Sequence, residues 1–184
     1  VYKSLADYVM PASEGRTDYV GAFVVTAGVG AEALKNQFEE EGDTYSSMLL
    51  QTLTDRLAEA LAEYLHEKVR KEYWGYAPDE SLSIPDLYKV KYQGIRPAVG
   101  YPSLPDQLLN YTLDNLLDMS QIGVKLTENG AMYPTATVSG IYIAHPDSQY
   151  FMIGSIDEEQ MKDYAARRNL SEADAKKLLN KNIS

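Results

Sequence analysis

A segment dense in glycine and proline, residues 93–105, carries the side chains best suited to binding a small ligand. Arg96 offers a planar fork of N–H donors that can grip a carboxylate. Tyr92 and Tyr101 offer aromatic faces that can pack against a base or a cation. The glycines and prolines hold the backbone in turns and let main-chain amides approach a ligand closely. The segment therefore indicates a ligand-binding loop, and the alternative is a structural turn whose tyrosines belong to the core.

Acidic and histidine side chains supply the other candidate chemistry. Asp55, Glu59 and Glu63 recur at i, i+4 spacing, which places three carboxylates on one stripe of a helix. Such a stripe is either solvated or the edge of a site. His66 and His145 have no second His or Cys at ligand spacing, and the sequence contains no cysteine. A zinc or iron–sulfur site is therefore not expected.

A weak nucleotide-binding signal lies near residue 28. Gly28, Gly30 and Ala33 follow a predicted strand and open a helix, which superficially matches a dinucleotide fingerprint. In that fold a second strand ends in an acidic residue about 20 positions later. Here the region reads as helix, so we interpret the glycines as a plain strand-to-helix turn.

The elements that must position these residues read as helices mixed with antiparallel strands, without regular βαβ alternation, which indicates an α+β fold. The strongest helical signal is the hydrophobic pattern at 45–74, in which apolar residues recur at spacings of three to five: Leu49, Leu53, Leu57, Leu61, Tyr64 and Val69. The other predicted elements are a strand at 18–26, a short helix capped by Ser83, a helix at 108–119, a hairpin of strands 136–145 and 149–156 around the turn HPDS, and two helices opened by capping-box spacings at Asp157 and Ser171.

Composition limits the function classes. With 184 residues and 45% hydrophobic residues, the chain fits one domain, residues 1–184. A formal charge of −10 opposes binding to nucleic acid. The sequence shows neither an apolar run of transmembrane length nor a signal peptide, so we expect no membrane association and a cytoplasmic location.

Several long motifs resemble one family in the same order along the chain. The string IRPAVGYP resembles the Arg-x-x-x-Gly-Tyr-Pro signature of the C-terminal activation domain of cobalamin-dependent methionine synthase, with Arg96, Gly100, Tyr101 and Pro102 at its fixed positions. DYVGAFVVTAG, DRLAEALAEYLHEKVRKEYWGYAPDE, GVKLTENGAMYPTATVSG and HPDSQY are also similar to that family. The resemblance covers nearly the whole chain.

The resemblance implies a C-shaped α+β domain with a twisted antiparallel sheet and long helices, which binds S-adenosylmethionine on its inner surface. It implies that the domain positions this methyl donor for the reductive methylation of cob(II)alamin to methylcobalamin. The implied partners are the cobalamin-binding module of the same enzyme and a flavodoxin-type electron donor. No residue of this chain is expected to be catalytic. The implied ligand-binding residues are Arg96, Pro97, Ala98, Val99, Gly100, Tyr101, Tyr150 and Phe151 (the last two from a hairpin strand) and Glu59, with Asp55 facing the cobalamin.

The sequence also departs from the family. Members carry an earlier segment with an aspartate for the ligand's amino group, so we expect a partial domain that lacks its N-terminal portion and does not complete methionine synthesis alone. Proline is common where Val99 stands, which predicts a slightly looser loop. The alternatives are a stand-alone partner of a corrinoid protein that has the same fold and serves another methyl transfer, and a non-binding structural domain.

Overall fold

The computed structural model describes residues 3–180 and 182–183, which combine helices with small antiparallel sheets and confirm the α+β class. In the described part of the chain, no helix has the length and apolar character needed to cross a membrane. The strands are β1 (Gly21–Thr26), β2 (Lys125–Leu126), β3 (Met132–Tyr133) and β4 (Thr137–Tyr142). The α-helices are α1 (Ala31–Glu40), α2 (Thr44–Lys68), α3 (Ile84–Tyr88), α4 (Leu109–Leu117), α5 (Glu158–Arg168) and α6 (Glu172–Leu178). A π-helical turn (Val69–Tyr73) extends α2, and 3₁₀ turns cover Leu5–Tyr8, Ala12–Glu14 and Met119–Ile122.

The central sheet pairs β1 with β4 in antiparallel register, from Gly21 opposite Tyr142 to Thr26 opposite Thr137. The sequence predicts this first strand at 18–26, and the observed strand β1 begins three residues later, at Gly21. Gly28 and Gly30 form the predicted turn between β1 and α1. The main core lies between this sheet and α2, and its buried residues are Phe23, Val25, Ala58, Ala62, Val69, Ala98, Val138 and Tyr142.

The predicted hairpin between residues 136–145 and 149–156 is wrong. The turn HPDS exists, since the Ser148 N–H donates to the His145 carbonyl at 3.1 Å. However, β4 pairs with β1 on one edge, and its other edge is occupied by bridges from Ile95 and Ala98. No edge of β4 is left for the segment 149–155, which is irregular.

Helix α2 begins at its N-cap Asp43, whose side chain accepts the Ser46 N–H at 3.0 Å. The predicted helix over 45–74 is confirmed in position, although its last turn is π-helical. Its buried face differs from the leucine pattern: the buried residues are Ser47, Thr54, Ala58, Ala62 and His66. The leucines of the pattern are exposed, as are Tyr45, Met48 and Tyr64. Small side chains bring the helix axis close to the sheet.

The last two helices form a separate small cluster around Met161, Ala165 and Ala175. The predicted capping box at Asp157 and Gln160 is confirmed in both directions. At α6, Ser171 caps the helix, but the predicted capping box is incomplete. The Asp174 carboxylate accepts from the Ser171 hydroxyl and not from the Ser171 backbone N–H. The predicted helix at 108–119 spans Leu109–Leu117 and continues as a 3₁₀ turn.

The exposed leucines and the buried alanines of α2 predict an inverted mutational pattern. Leu57 is 59% exposed, so Leu57→Ala should change the free energy of unfolding by less than about 0.5 kcal/mol. Ala62 is 0% exposed, so Ala62→Leu should cost about 1–3 kcal/mol by overpacking the core. Urea unfolding of both variants measures this, and a larger loss in Leu57→Ala than in Ala62→Leu would contradict the assigned face.

Candidate ligand-binding site

The predicted binding loop is fixed to the sheet through its main chain. The Ile95 N–H donates to the Ile143 carbonyl at 2.9 Å, and the Ile143 N–H donates back at 3.0 Å. The Ile141 N–H donates to the Pro97 carbonyl at 3.1 Å. Residues 95–99 therefore run along the outer edge of β4 as an additional, irregular strand.

Gly140 makes this close approach possible. A Cβ atom at position 140 would lie 2.3 Å from the Pro97 carbonyl oxygen and 2.9 Å from the Ala98 Cα, both of which are backbone atoms. Gly94 enters the loop with a φ of 82°, a conformation that favours glycine. A glycine inside a strand is a sequence signal for close backbone approach, and it could have indicated the partner of the loop in advance.

Val99 also gains a backbone contact from this arrangement. Its N–H donates to the Ser139 carbonyl at 2.9 Å. A proline at this position could not make the bond because it has no N–H. The hydrogen bond offsets the loosening expected from the absence of the proline ring.

Arg96 is held between helix α2 and the segment after the HPDS turn. Its Nε and Nη2 atoms donate to Glu63 Oε2 at 3.3 and 3.1 Å, and its Nη1 lies 3.9 Å from Glu59 Oε2. Its main-chain N–H donates to the Tyr150 hydroxyl at 2.9 Å. The Arg96 side chain is 15% exposed. Glu63 and Glu59 therefore orient the guanidinium.

Two cavities meet at the contact between Tyr101 and Glu59. The first, which we call the Arg96 cavity, has a volume of about 500 Å³, and the second, the Asp55 cavity, has about 430 Å³. Tyr101 and Glu59 line both cavities, and the Tyr101 hydroxyl donates to the Glu59 carboxylate. This hydrogen bond, and to a smaller extent burial, raises the pKa of Tyr101 to about 12. The Arg96 cavity also receives aromatic surfaces from Tyr88, Tyr92, Tyr150 and Phe151.

A buried layer of charged and aromatic residues supports the Arg96 cavity. Arg70 is fully buried and binds Glu80 through Nε and Nη2, at 2.9 and 2.6 Å. Its guanidinium carbon lies 4.3 Å from the centre of the Tyr92 ring, a cation–π contact. Burial, together with contacts to Tyr150, raises the pKa of Tyr92. The Arg70–Glu80 pair therefore fixes one aromatic wall of the cavity.

His66 lies in the same buried layer. Its ring stacks on Tyr142 with centroids 5.4 Å apart and meets the edge of Tyr92 at 5.0 Å. Burial, and then the positive charges of Arg70 and Arg96, lower the pKa of His66 to about 2. The imidazole is neutral at physiological pH and serves as a packing group.

Comparisons with known proteins identify the family of the chain. A family model described as the activation domain of vitamin B12 dependent methionine synthase matches residues 1–169. The chain belongs to that family. The crystal structure of the MetH reactivation domain bound to AdoHcy is similar to this activation domain, with a TM-score of 0.93 and 48% sequence identity. The match covers 98% of this chain and 56% of that one, so the chain spans little more than half the length of the solved protein.

The sequence-predicted site residues of this activation domain divide between the cavities. The Arg96 cavity contains Arg96, Pro97, Ala98, Tyr101, Tyr150, Phe151 and Glu59. Val99 and Asp55 line the Asp55 cavity, and Gly100 faces a third cavity, near α6. Tyr150 and Phe151 come from the irregular segment and not from a hairpin strand. Glu63 also lines the Arg96 cavity and was not among the predicted site residues, although its place on the acidic stripe, four residues after Glu59, was a usable signal.

Gly140→Ala should disrupt the predicted binding loop of the activation domain. The added methyl would meet backbone atoms that cannot move independently, so we expect a loss of about 2–3 kcal/mol in the free energy of unfolding. Gly21→Ala in the paired strand is the control, because its Cβ would meet mainly side-chain atoms, of Tyr142 and Trp74, at 3.0 Å or more. Equal stabilities of the two variants, measured by urea unfolding, would contradict the close approach.

The buried neutral His66 predicts that stability falls in mild acid. The unfolded chain binds a proton at this imidazole below about pH 6.5, whereas the folded chain does not. Stability contributed by the neutral ring is present above that pH and is lost as the pH falls, by about 1.2 kcal/mol between pH 7.0 and 5.5. Urea unfolding at both values measures this loss. In His66→Gln the loss should be absent, and an equal loss in both proteins would contradict the assignment.

Proposed function

We propose that this chain binds S-adenosylmethionine in the Arg96 cavity, as part of the reactivation module of a cobalamin-dependent methionine synthase. The observation that carries the proposal is the guanidinium of Arg96, which Glu63 orients in a cavity lined by tyrosines and two carboxylates. Membership of the activation-domain family supports it, as does the likeness to a domain solved with AdoHcy.

Each part of the ligand has a chemical counterpart in the cavity. Arg96 suits the α-carboxylate, because a guanidinium donates charge-assisted hydrogen bonds to a carboxylate. Glu59 and Glu63 suit the α-ammonium group. The tyrosine rings suit the adenine base and the sulfonium cation. Pro97, Ala98 and Phe151 border the same space.

The chain contributes positioning to the reaction. The domain holds the methyl donor in a fixed orientation and limits the access of water, which lowers the entropic barrier to transfer. Cobalamin, bound by another module, supplies the cobalt nucleophile. One electron from a flavodoxin-type donor and the methyl group of S-adenosylmethionine convert cob(II)alamin to methylcobalamin. This sequence of events needs no acid–base residue on the chain, which acts as a cytoplasmic fragment of a methyltransferase and does not complete methionine synthesis alone.

We assign the Asp55 cavity to the side of the domain that faces the cobalamin module. It adjoins the Arg96 cavity at the Tyr101–Glu59 hydrogen bond, so a methyl group held beside that bond is close to both spaces. Asp55 and Arg56 give this cavity polar groups of both signs. Such groups suit the amide side chains of a corrin ring.

Arg96→Ala tests the proposal. We expect S-adenosylmethionine affinity to fall about 10- to 150-fold, the equivalent of about 1.5–3 kcal/mol for a lost hydrogen bond to a charged group. Arg96→Lys should recover part of the loss, because an ammonium lacks the planar fork. The melting temperature should change little, because Glu63 keeps 31% of its side chain exposed to water.

Isothermal titration and thermal melts on the same proteins make the measurement. Arg167→Ala is the control, since Arg167 lies on α5, is exposed and pairs with Asp163 at 2.7 Å. Unchanged affinity in a folded Arg96→Ala protein, or a wild-type chain that does not bind S-adenosylmethionine, would overturn the proposed function.

A further inference from the structure

The Arg96 cavity carries an excess of negative charge. Among the described residues that line it, the formally charged ones are Glu59, Glu63 and Arg96. Two carboxylates against one guanidinium leave one net negative charge in a partly enclosed space. The rest of the lining is largely tyrosine, phenylalanine, proline and aliphatic surface. Electrostatic interactions are stronger in such a space than in bulk water.

Glu63 neutralises Arg96, so that the charge of Glu59 is left uncompensated in the cavity. Both contacts of Arg96 at Nε and Nη2 go to the same oxygen, Glu63 Oε2. The Nη1 atom is 3.9 Å from Glu59 and is the guanidinium nitrogen without such a bond to Glu63. A ligand carboxylate at Nη1 therefore meets a cation whose charge is already compensated. Glu59 adds a second carboxylate to the same space.

The ligand changes its charge during the reaction. S-adenosylmethionine carries a carboxylate, an ammonium and a sulfonium, and so has one net positive charge. When the methyl group leaves, the bonding pair of the S–CH₃ bond stays on sulfur, and the product is a neutral thioether with a zwitterionic amino-acid end. The net charge of the product, S-adenosylhomocysteine, is zero.

We propose that Glu63 is a specificity-determining residue, which makes the cavity prefer the cationic methyl donor over its neutral product. The inference rests on the proposed function, since it assigns a role within the same site. Its consequence is that the cavity binds its ligand less tightly once the methyl group has been transferred, which favours product release. Tyr92, Tyr101 and Tyr150 add aromatic faces that also favour a cation.

The test compares the affinities of two ligands in three proteins. Isothermal titration gives the dissociation constants of S-adenosylmethionine and S-adenosylhomocysteine for the wild-type chain, Glu63→Gln and Glu67→Gln. Glutamine keeps an oxygen that can accept from Arg96 but removes the charge. Glu67 lies one turn further along α2, pairs with Lys71 at 3.5 Å and is absent from the described lining of the cavity, so Glu67→Gln is the matched control.

We expect the wild-type chain to prefer S-adenosylmethionine and Glu63→Gln to lose about 3- to 10-fold of that preference, as one partly screened unit charge would give. Glu67→Gln should keep the wild-type ratio. If Glu63→Gln weakened the binding of both ligands equally, Glu63 would only position Arg96, and the inference would be overturned. Unchanged affinities for both ligands would also overturn it.

A second measurement needs no variant. In the wild-type chain, raising NaCl from 0.05 to 0.5 M should reduce the affinity for the cationic ligand more than that for the neutral one. A ratio that does not change with salt would count against the inference even if Glu63→Gln failed to fold. If neither ligand binds the wild-type chain, the proposed function itself fails. Binding of both ligands with equal affinity would overturn the inference alone.

Discussion

The hydrogen bonding between residues 95–99 and the outer edge of β4 is the interaction on which the rest of the site depends. It sets the height of Arg96 above the sheet and directs Tyr101 towards helix α2. It also occupies the strand edge that would otherwise be free to pair with the segment around Tyr150. That segment consequently stays irregular, and the hydroxyl group of Tyr150 accepts a hydrogen bond from the Arg96 main-chain N–H.

Helix α2 provides the opposite wall, and its composition follows from that position. Ala58 and Ala62 let the helix pack closely on the sheet, while Glu59 and Glu63 project towards the loop from the adjoining stripe. One turn further, His66 and Arg70 face inward and need neutralisation or a partner. The imidazole meets this need by staying neutral, and the guanidinium by binding Glu80, which is consistent with the cost of burying an unpaired charge.

Local signals predicted most of this fold, and non-local pairing accounts for the errors. The caps at Ser83 and Asp157, the long helix and the Gly/Pro loop are encoded by neighbouring residues and were predicted correctly. The hairpin prediction failed because the strand-like residue pattern at 149–156 could not show that the loop at 95–99 already pairs with the free edge of β4. The leucine pattern of α2 indicated a helix, but the face that packs on the sheet is the one with small residues. Glu63 lay on a predicted stripe, yet its partner Arg96 is 33 residues away in sequence.

The position of Gly140 separates the framework of the site from the chemistry it displays. Gly140 lies outside the described lining of both cavities, yet its lack of a side chain lets the loop pack against the sheet. Side chains such as Arg96 and Tyr101 stand on a backbone held by main-chain bonds, so evolution could exchange them and alter ligand preference while the loop keeps its shape. The glycine has no such freedom. A lineage could therefore diversify the ligands of this scaffold while conserving a residue that touches none of them.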